Sequence, residues 1–127
     1  MQEHHLFEYA VIRVVPRMER EEFLNVGVVL YCAKEKFLQT LFQLNNERLS
    51  SFCAEIDIPE IETYLQAFEQ ICLGNKTAGT IAALPMHERF RWLTATRSTV
   101  IQTSKVHPGF CIDATAMLQQ LYTQLVL

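Results

Sequence analysis

Two short polar stretches interrupt otherwise apolar sequence, and they hold most of the side chains able to do chemistry. One is Arg20-Glu21-Glu22-Phe23-Leu24-Asn25-Val26-Gly27; the other runs from Arg97 through Thr99, Gln102 and Ser104 to His107. Polar groups buried in strand-like sequence lose their hydration and need partners. Arg97 offers a planar fork for a carboxylate or phosphate, and Thr99 and Gln102 can add donors, so an anion or nucleotide site is the chemistry these types suggest. Arg13 and Asn25 would extend that site if they share a sheet face, beside Gly27, where a ligand or another backbone can come close. The simpler reading is that Gly27 marks a β-bulge and Asn25 satisfies a turn. Ser98 or Ser104 with His107 and an acid are the ingredients of a nucleophilic triad. The GxSxG elbow is missing, however, so His107 is kept only as an acid–base candidate and no catalytic set is assigned. Glu21 and Glu22 could act as a general base or as ligands for a hard metal, but no DxD, HExxH or EF-hand pattern accompanies them.

The chain has 127 residues, half of them hydrophobic, and a net charge of -3. That fits one domain, 1–127, able to bury a core without disulfides or metals, with residues 1–6 expected to be flexible. The net charge is no signature of nucleic-acid or membrane binding. Its distribution is uneven: Glu47, Glu55, Asp57, Glu60, Glu62 and Glu69 face only Arg48 in one segment, while Arg89, Arg91, Arg97 and Lys105 accompany only Glu88 in another. The simpler account of those arginines is structural ion pairing. Cys32, Cys53, Cys72 and Cys111 form no CxxC pair and stand among apolar residues, as small buried hydrophobes do. A reducing, cytoplasmic setting follows. A zinc site drawing on distant cysteines and His107 is a minor alternative; no metal and no cofactor are expected. Neither a signal-peptide pattern nor an apolar run of about 20 residues is present, so no membrane is expected. With only four glycines there is no phosphate loop or dinucleotide fingerprint.

The elements that must position these groups follow from periodicity. Phe7 to Val15 reads as a strand stopped by Pro16, Leu24 to Cys32 as a second, and Phe37 to Leu44 as a third after a short Ala33–Lys36 turn. Short connections make these an antiparallel meander. Asn46 is a cap for a short helical turn. Asp57, Pro59 and Gly74 bracket the clearest helix, with Ile61, Tyr64, Leu65, Phe68 and Cys72 on its inner face. Pro85 to Phe90 suggests a short helix. Ser98 to Ser104 reads as a fourth strand and Val106 to Ile112 as a fifth, interrupted at Pro108-Gly109. Asp113 caps a last helix whose inner face carries Met117, Leu118, Leu121 and Leu125. The class expected is α+β: a mainly antiparallel sheet of four to five strands with two main helices on one face.

Together, the segments Tyr9–Pro16, Arg20–Leu30, Glu88–Leu93 and Arg97–Gln102 resemble the bacterial family known as domain of unknown function 3037, over nearly the whole chain. The resemblance carries no established activity. It implies a small stand-alone bacterial protein, often encoded beside a HipA-like serine/threonine kinase-fold protein, and so an accessory subunit of a kinase-like toxin. The first reading is therefore a non-catalytic, partner-binding module. The second is a small-anion or nucleotide site, with or without catalysis, built from Arg13, Asn25, Arg97, Thr99 and Gln102 with His107; it requires Arg13 and Arg97 to converge. The third is nucleic-acid binding through Arg89, Arg91, Arg97 and Lys105, which requires a contiguous basic face.

Overall fold

Aromatic and β-branched residues make the longest strand, β1 (His5–Val14), and every other strand except one pairs with it. The computed structural model describes residues 3–97 and 99–127. β2 (Leu24–Cys32) and β3 (Phe37–Phe42) continue from β1 as the expected antiparallel meander. Two short strands share the opposite edge of β1. β4 (Ile101–Thr103) pairs with Ile12–Val14, and β5 (His107–Cys111) pairs with His5–Tyr9. The result is a five-stranded antiparallel sheet in a single α+β domain.

β1 begins at His5, so two of the six residues expected to be flexible are strand. The fourth strand is shorter than expected, and Ser98 lies outside the described residues. β5 runs through Pro108-Gly109 without a break, because the ring of Phe7 lies over Gly109 and leaves no room for a Cβ there.

The helices cap as the sequence suggests, with one shift. α1 (Asn46–Phe52) is capped by Asn45 rather than Asn46: the Arg48 N–H donates to Asn45 Oδ1 at 3.0 Å. α2 (Ile58–Leu73) opens on Asp57, which accepts from the Glu60 N–H, and closes on Gly74 at φ 70°. α3 (Met86–Leu93) follows two short 3-10 turns. α4 (Ala114–Leu125) opens on Asp113, which accepts from the Thr115 N–H at 3.0 Å. No described helix is long and apolar enough to cross a membrane.

Both sheet faces are buried. Ala10, Ile12, Val14, Val26 and Val29 pack with Leu49, Ile61, Leu65, Phe68, Phe90 and Leu93 from α1, α2 and α3. Phe7, Val28, Leu30, Cys32 and Cys111 pack with Ala114, Leu118, Leu121 and Tyr122 of α4. The two main helices, expected on one face, thus lie on opposite faces. The physical reason is that alternate positions of β1 and β2 are apolar on both sides, which calls for two covers rather than one. Ile71 replaces Tyr64 on the inner face of α2, leaving Tyr64 half exposed.

Candidate functional site

The first polar stretch becomes a row across the sheet. Arg13 pairs with Asn25 on one side and with Gln102 on the other, so all three side chains share the α4 face. A β-bulge produces this arrangement. Ile12 pairs with Gly27 but Arg13 with Asn25, which leaves Val26 as the extra residue. Strict alternation would have put Asn25 with Gly27, Val29 and Tyr31. The bulge turns Asn25 to the opposite face and Val26 into the α2 core. Gly27 permits the approach, since a Cβ there would lie 2.7 Å from Leu41 O and from Phe42 Cβ.

This row is engaged with its own fold. Asn25 Nδ2 donates to Leu125 O at 3.1 Å, and Arg48 Nη1 donates to Val126 O at 3.3 Å, so both serve carbonyls at the C-terminal end of α4. The Arg13 guanidinium lies 3.9 Å from the centroid of the Phe23 ring. Arg13 Nε and Asn25 Oδ1 are buried without a partner among the described residues. Gln102 Nε2 donates to Thr99 O at 2.9 Å.

Arg97 belongs to the other side. Its guanidinium stacks over Trp92, 4.2 Å from the ring centroid, and donates to Leu93 O and Trp92 O beyond the end of α3. Burial lowers its pKa from the usual arginine value. Arg97 and Thr99 border an apolar cleft of about 190 Å³ with Tyr64, Phe68, Leu93 and Ile101. The structure therefore sets Arg13, Asn25 and Gln102 in one row, with Gln102 reaching the Thr99 carbonyl, and leaves Arg97 across the sheet. The convergence that the anion reading required does not occur, because residues on α3 and its exit pack on the face opposite α4.

The remaining candidates have structural partners or stand apart. Ser104 fills the gap between β4 and β5: its Oγ accepts from the Val11 N–H at 2.8 Å and donates to Lys105 O at 2.9 Å. His107 is exposed and packs its ring against Tyr9, tilted by 35° with centroids 5.3 Å apart. Arg89 is buried and donates from Nη1 to Ile71 O and Cys72 O, closing the C-terminus of α2. Its withdrawal removes one cation from the basic face that the nucleic-acid reading required. A cleft of about 300 Å³ lies beside Arg17 and Arg20, but those arginines pair with Glu55 and Glu22.

A second cluster forms at the far end of β1, where His5 and Glu35, given no role from sequence, join two of the cysteines read as buried hydrophobes. Lys36 adopts φ 52° at the end of the Ala33–Lys36 turn, its N–H donating to Ala33 O. That turn delivers Glu35 under the sheet. Glu35 Oε2 lies 2.9 Å from His5 Nδ1, and both carboxylate oxygens accept from the Ala114 N–H, at 3.2 and 3.0 Å. The thiols of Cys32 and Cys111 donate to the same Oε2 at 3.7 and 3.9 Å. The His5 hydrogen bond holds the Glu35 carboxyl below its ordinary range, against the opposing effect of burial; the Ala114 N–H adds to the lowering. Burial, with Cys32 and Glu35 nearby, pushes the Cys111 thiol up to about 11. One signal was available: β1 alternation puts His5 on the same face as Phe7 and Tyr9. The approach of Glu35, Cys32 and Cys111 is a tertiary event without a local pattern.

No curated protein and no solved structure matches the chain. A family model does match, over residues 9–126, and it spans the meander, the bulge, the polar row and α4. The chain belongs to that family, described as a protein of unknown function (DUF3037).

Proposed function

We propose that the protein is a non-catalytic module that docks a protein partner through an apolar patch at the β5 end of the sheet. The observation that carries this reading is the cross-strand pair Leu6 and Phe110, on β1 and β5. The two side chains lie side by side on the face that α2 and α3 cover elsewhere, yet remain 53% and 67% exposed. Ile112, two residues further on, is 47% exposed. Exposing adjacent large apolar side chains costs roughly 25 cal/mol per Å² left in water, and patches of this kind mark interaction sites. Among the described residues β5 pairs with β1 alone, so its outer edge adds main-chain groups beside the patch. The occupant is a different protein with an apolar surface of its own, in keeping with the accessory role that the family resemblance implies.

The HipA-like kinase-fold protein implied by that resemblance is the partner to test. Co-expressed with it, the wild-type chain should co-elute in size exclusion at one to one. Phe110→Asp, with unchanged circular dichroism, should abolish the complex. Failure of the wild type to co-elute, or co-elution that Phe110→Asp leaves intact, overturns the proposal. So does a wild-type homodimer that the same substitution dissociates, since the patch would then serve a second copy of the chain.

A further inference from the structure

We infer that His5, Cys32, Glu35 and Cys111 form a zinc-binding site that staples the N-terminus of α4 to the sheet. The donor set is right for a borderline-soft ion: one imidazole nitrogen, two sulfurs and one carboxylate oxygen. Three of the four donors are already gathered closely. Tetrahedral zinc with bonds of about 2.0–2.3 Å requires its ligand atoms to be roughly 3.3–3.8 Å apart. Around Glu35 Oε2 the separations are 2.9 Å to His5 Nδ1, 3.7 Å to Cys32 Sγ and 3.9 Å to Cys111 Sγ. The donors of His5, Cys32 and Glu35 all lie within 4.8 Å of one another. Cys111 Sγ, 3.9 Å from Glu35 Oε2, stands outside that three-donor group and would have to turn toward His5 to complete four bonds on one ion.

The support behind these donors is what a metal site needs. Cys32 and Cys111 are buried, so bound metal would be shielded from solvent on the α4 side. Glu35 is fixed by the backbone N–H of Ala114 at the helix N-terminus, which holds a lone pair of the carboxylate while leaving capacity for an ion. The four residues come from β1, the end of β2, the following turn and the end of β5. One ion would cross-link them all. Binding is balanced as an exchange: Zn²⁺ enters, two thiol protons leave to solvent, and the Nδ1 proton that His5 donates to Glu35 is given up as Nδ1 becomes the ligand, the neutral imidazole then carrying its one proton on Nε2. The complex carries a net charge of −1, which the adjacent helix N-terminus favours.

The test uses the full chain, reduced and stripped of metal, titrated with Co²⁺ and then Zn²⁺. The expected result is one equivalent of Co²⁺ bound, with a thiolate-to-cobalt charge-transfer band and the d–d absorption of a tetrahedral ion, both displaced by Zn²⁺. Cys32→Ser and Cys111→Ser should each weaken the charge-transfer band and raise the dissociation constant at least tenfold, while Cys53→Ser should change neither. Zn²⁺ should raise the melting temperature of the wild type and leave that of the double variant Cys32→Ser/Cys111→Ser unmoved. Absence of the thiolate band in the folded wild type overturns the site, as does a band that survives in the folded double variant.

Discussion

At the Arg13 end of β1 a β-bulge and a row of polar side chains meet the C-terminus of α4; at the His5 end the Glu35 carboxylate meets its N-terminus, beside the Asp113 cap. Each end supplies what the helix terminus lacks. Donors from Asn25 and Arg48 go to the carbonyls of Leu125 and Val126, and the acceptor Glu35 goes to the Ala114 N–H. The polarity matches the helix dipole at both ends. The ends differ in what is left over. Around Asn25 the surplus is two buried polar atoms without partners, whereas around Glu35 it is an imidazole and two thiols within reach of one oxygen. The conspicuous polar stretch therefore anchors the fold, and the inconspicuous turn gathers the ligand-like groups.

The largest expected effect breaks the Arg13 end. Gly27→Ala places a Cβ 2.7 Å from Leu41 O, which is main chain, and 2.7 Å from Phe42 Cβ. Strands β2 and β3 must part or the bulge must shift, at a cost of about 3 kcal/mol. Urea unfolding should show a lower midpoint with an unchanged slope. A midpoint equal to that of the wild type would mean that the bulge does not depend on this close approach.

The next effect tests the His5 end. Glu35→Gln removes the charge that accepts from His5 and Ala114, and should cost about 2 kcal/mol near neutral pH in metal-free protein. Because the folded state depresses the Glu35 pKa, its stabilisation is complete above the ordinary carboxylate range and is lost as pH falls through the folded value. The gap between wild type and Glu35→Gln should accordingly be widest at neutral pH and close in acid. A gap that widens as pH falls would contradict the His5 and Ala114 hydrogen bonds.

The contrast between the ends also shows what sequence can carry. Asp57, Gly74 and Asp113 were legible as caps because capping is decided within four residues of the helix end. The second strand was legible to the residue because Val26–Cys32 is an unbroken apolar run that Leu24 and Asn25 lead into. The side on which Asn25 points was not legible. It depends on the skipped residue Val26, and a skip exists only relative to a partner strand. The placement of α4 opposite α2 followed from an ambiguity of the same kind, since β1 is apolar on both faces and either could have been taken as the solvent side. Arg97 read as a free fork for an anion, yet a cation four residues beyond Leu93 folds back on the helix that precedes it. The His5 cluster had the least signal of all, with four donors spread from position 5 to position 111.

The smallest effect sharpens the comparison most. Asn25→Ala removes the donor to Leu125 O but also removes the buried, unpartnered Oδ1. The loss of one hydrogen bond is thus partly offset, and the net cost should be about 1 kcal/mol. The two ends of α4 are about 18 Å apart along a 12-residue helix, far beyond direct contact. If each end is held by its own partners, the double variant Glu35→Gln/Asn25→Ala should lose the sum of the single costs within about 0.5 kcal/mol. A double variant no worse than Glu35→Gln alone would show that α4 docks as one rigid unit, with the N-terminal carboxylate deciding whether the C-terminal contacts form at all. Amide exchange separates the two cases. Independent ends predict that Asn25→Ala speeds exchange only in the last turn of α4, from Tyr122 onward, while protection near Leu118 stays as in the wild type.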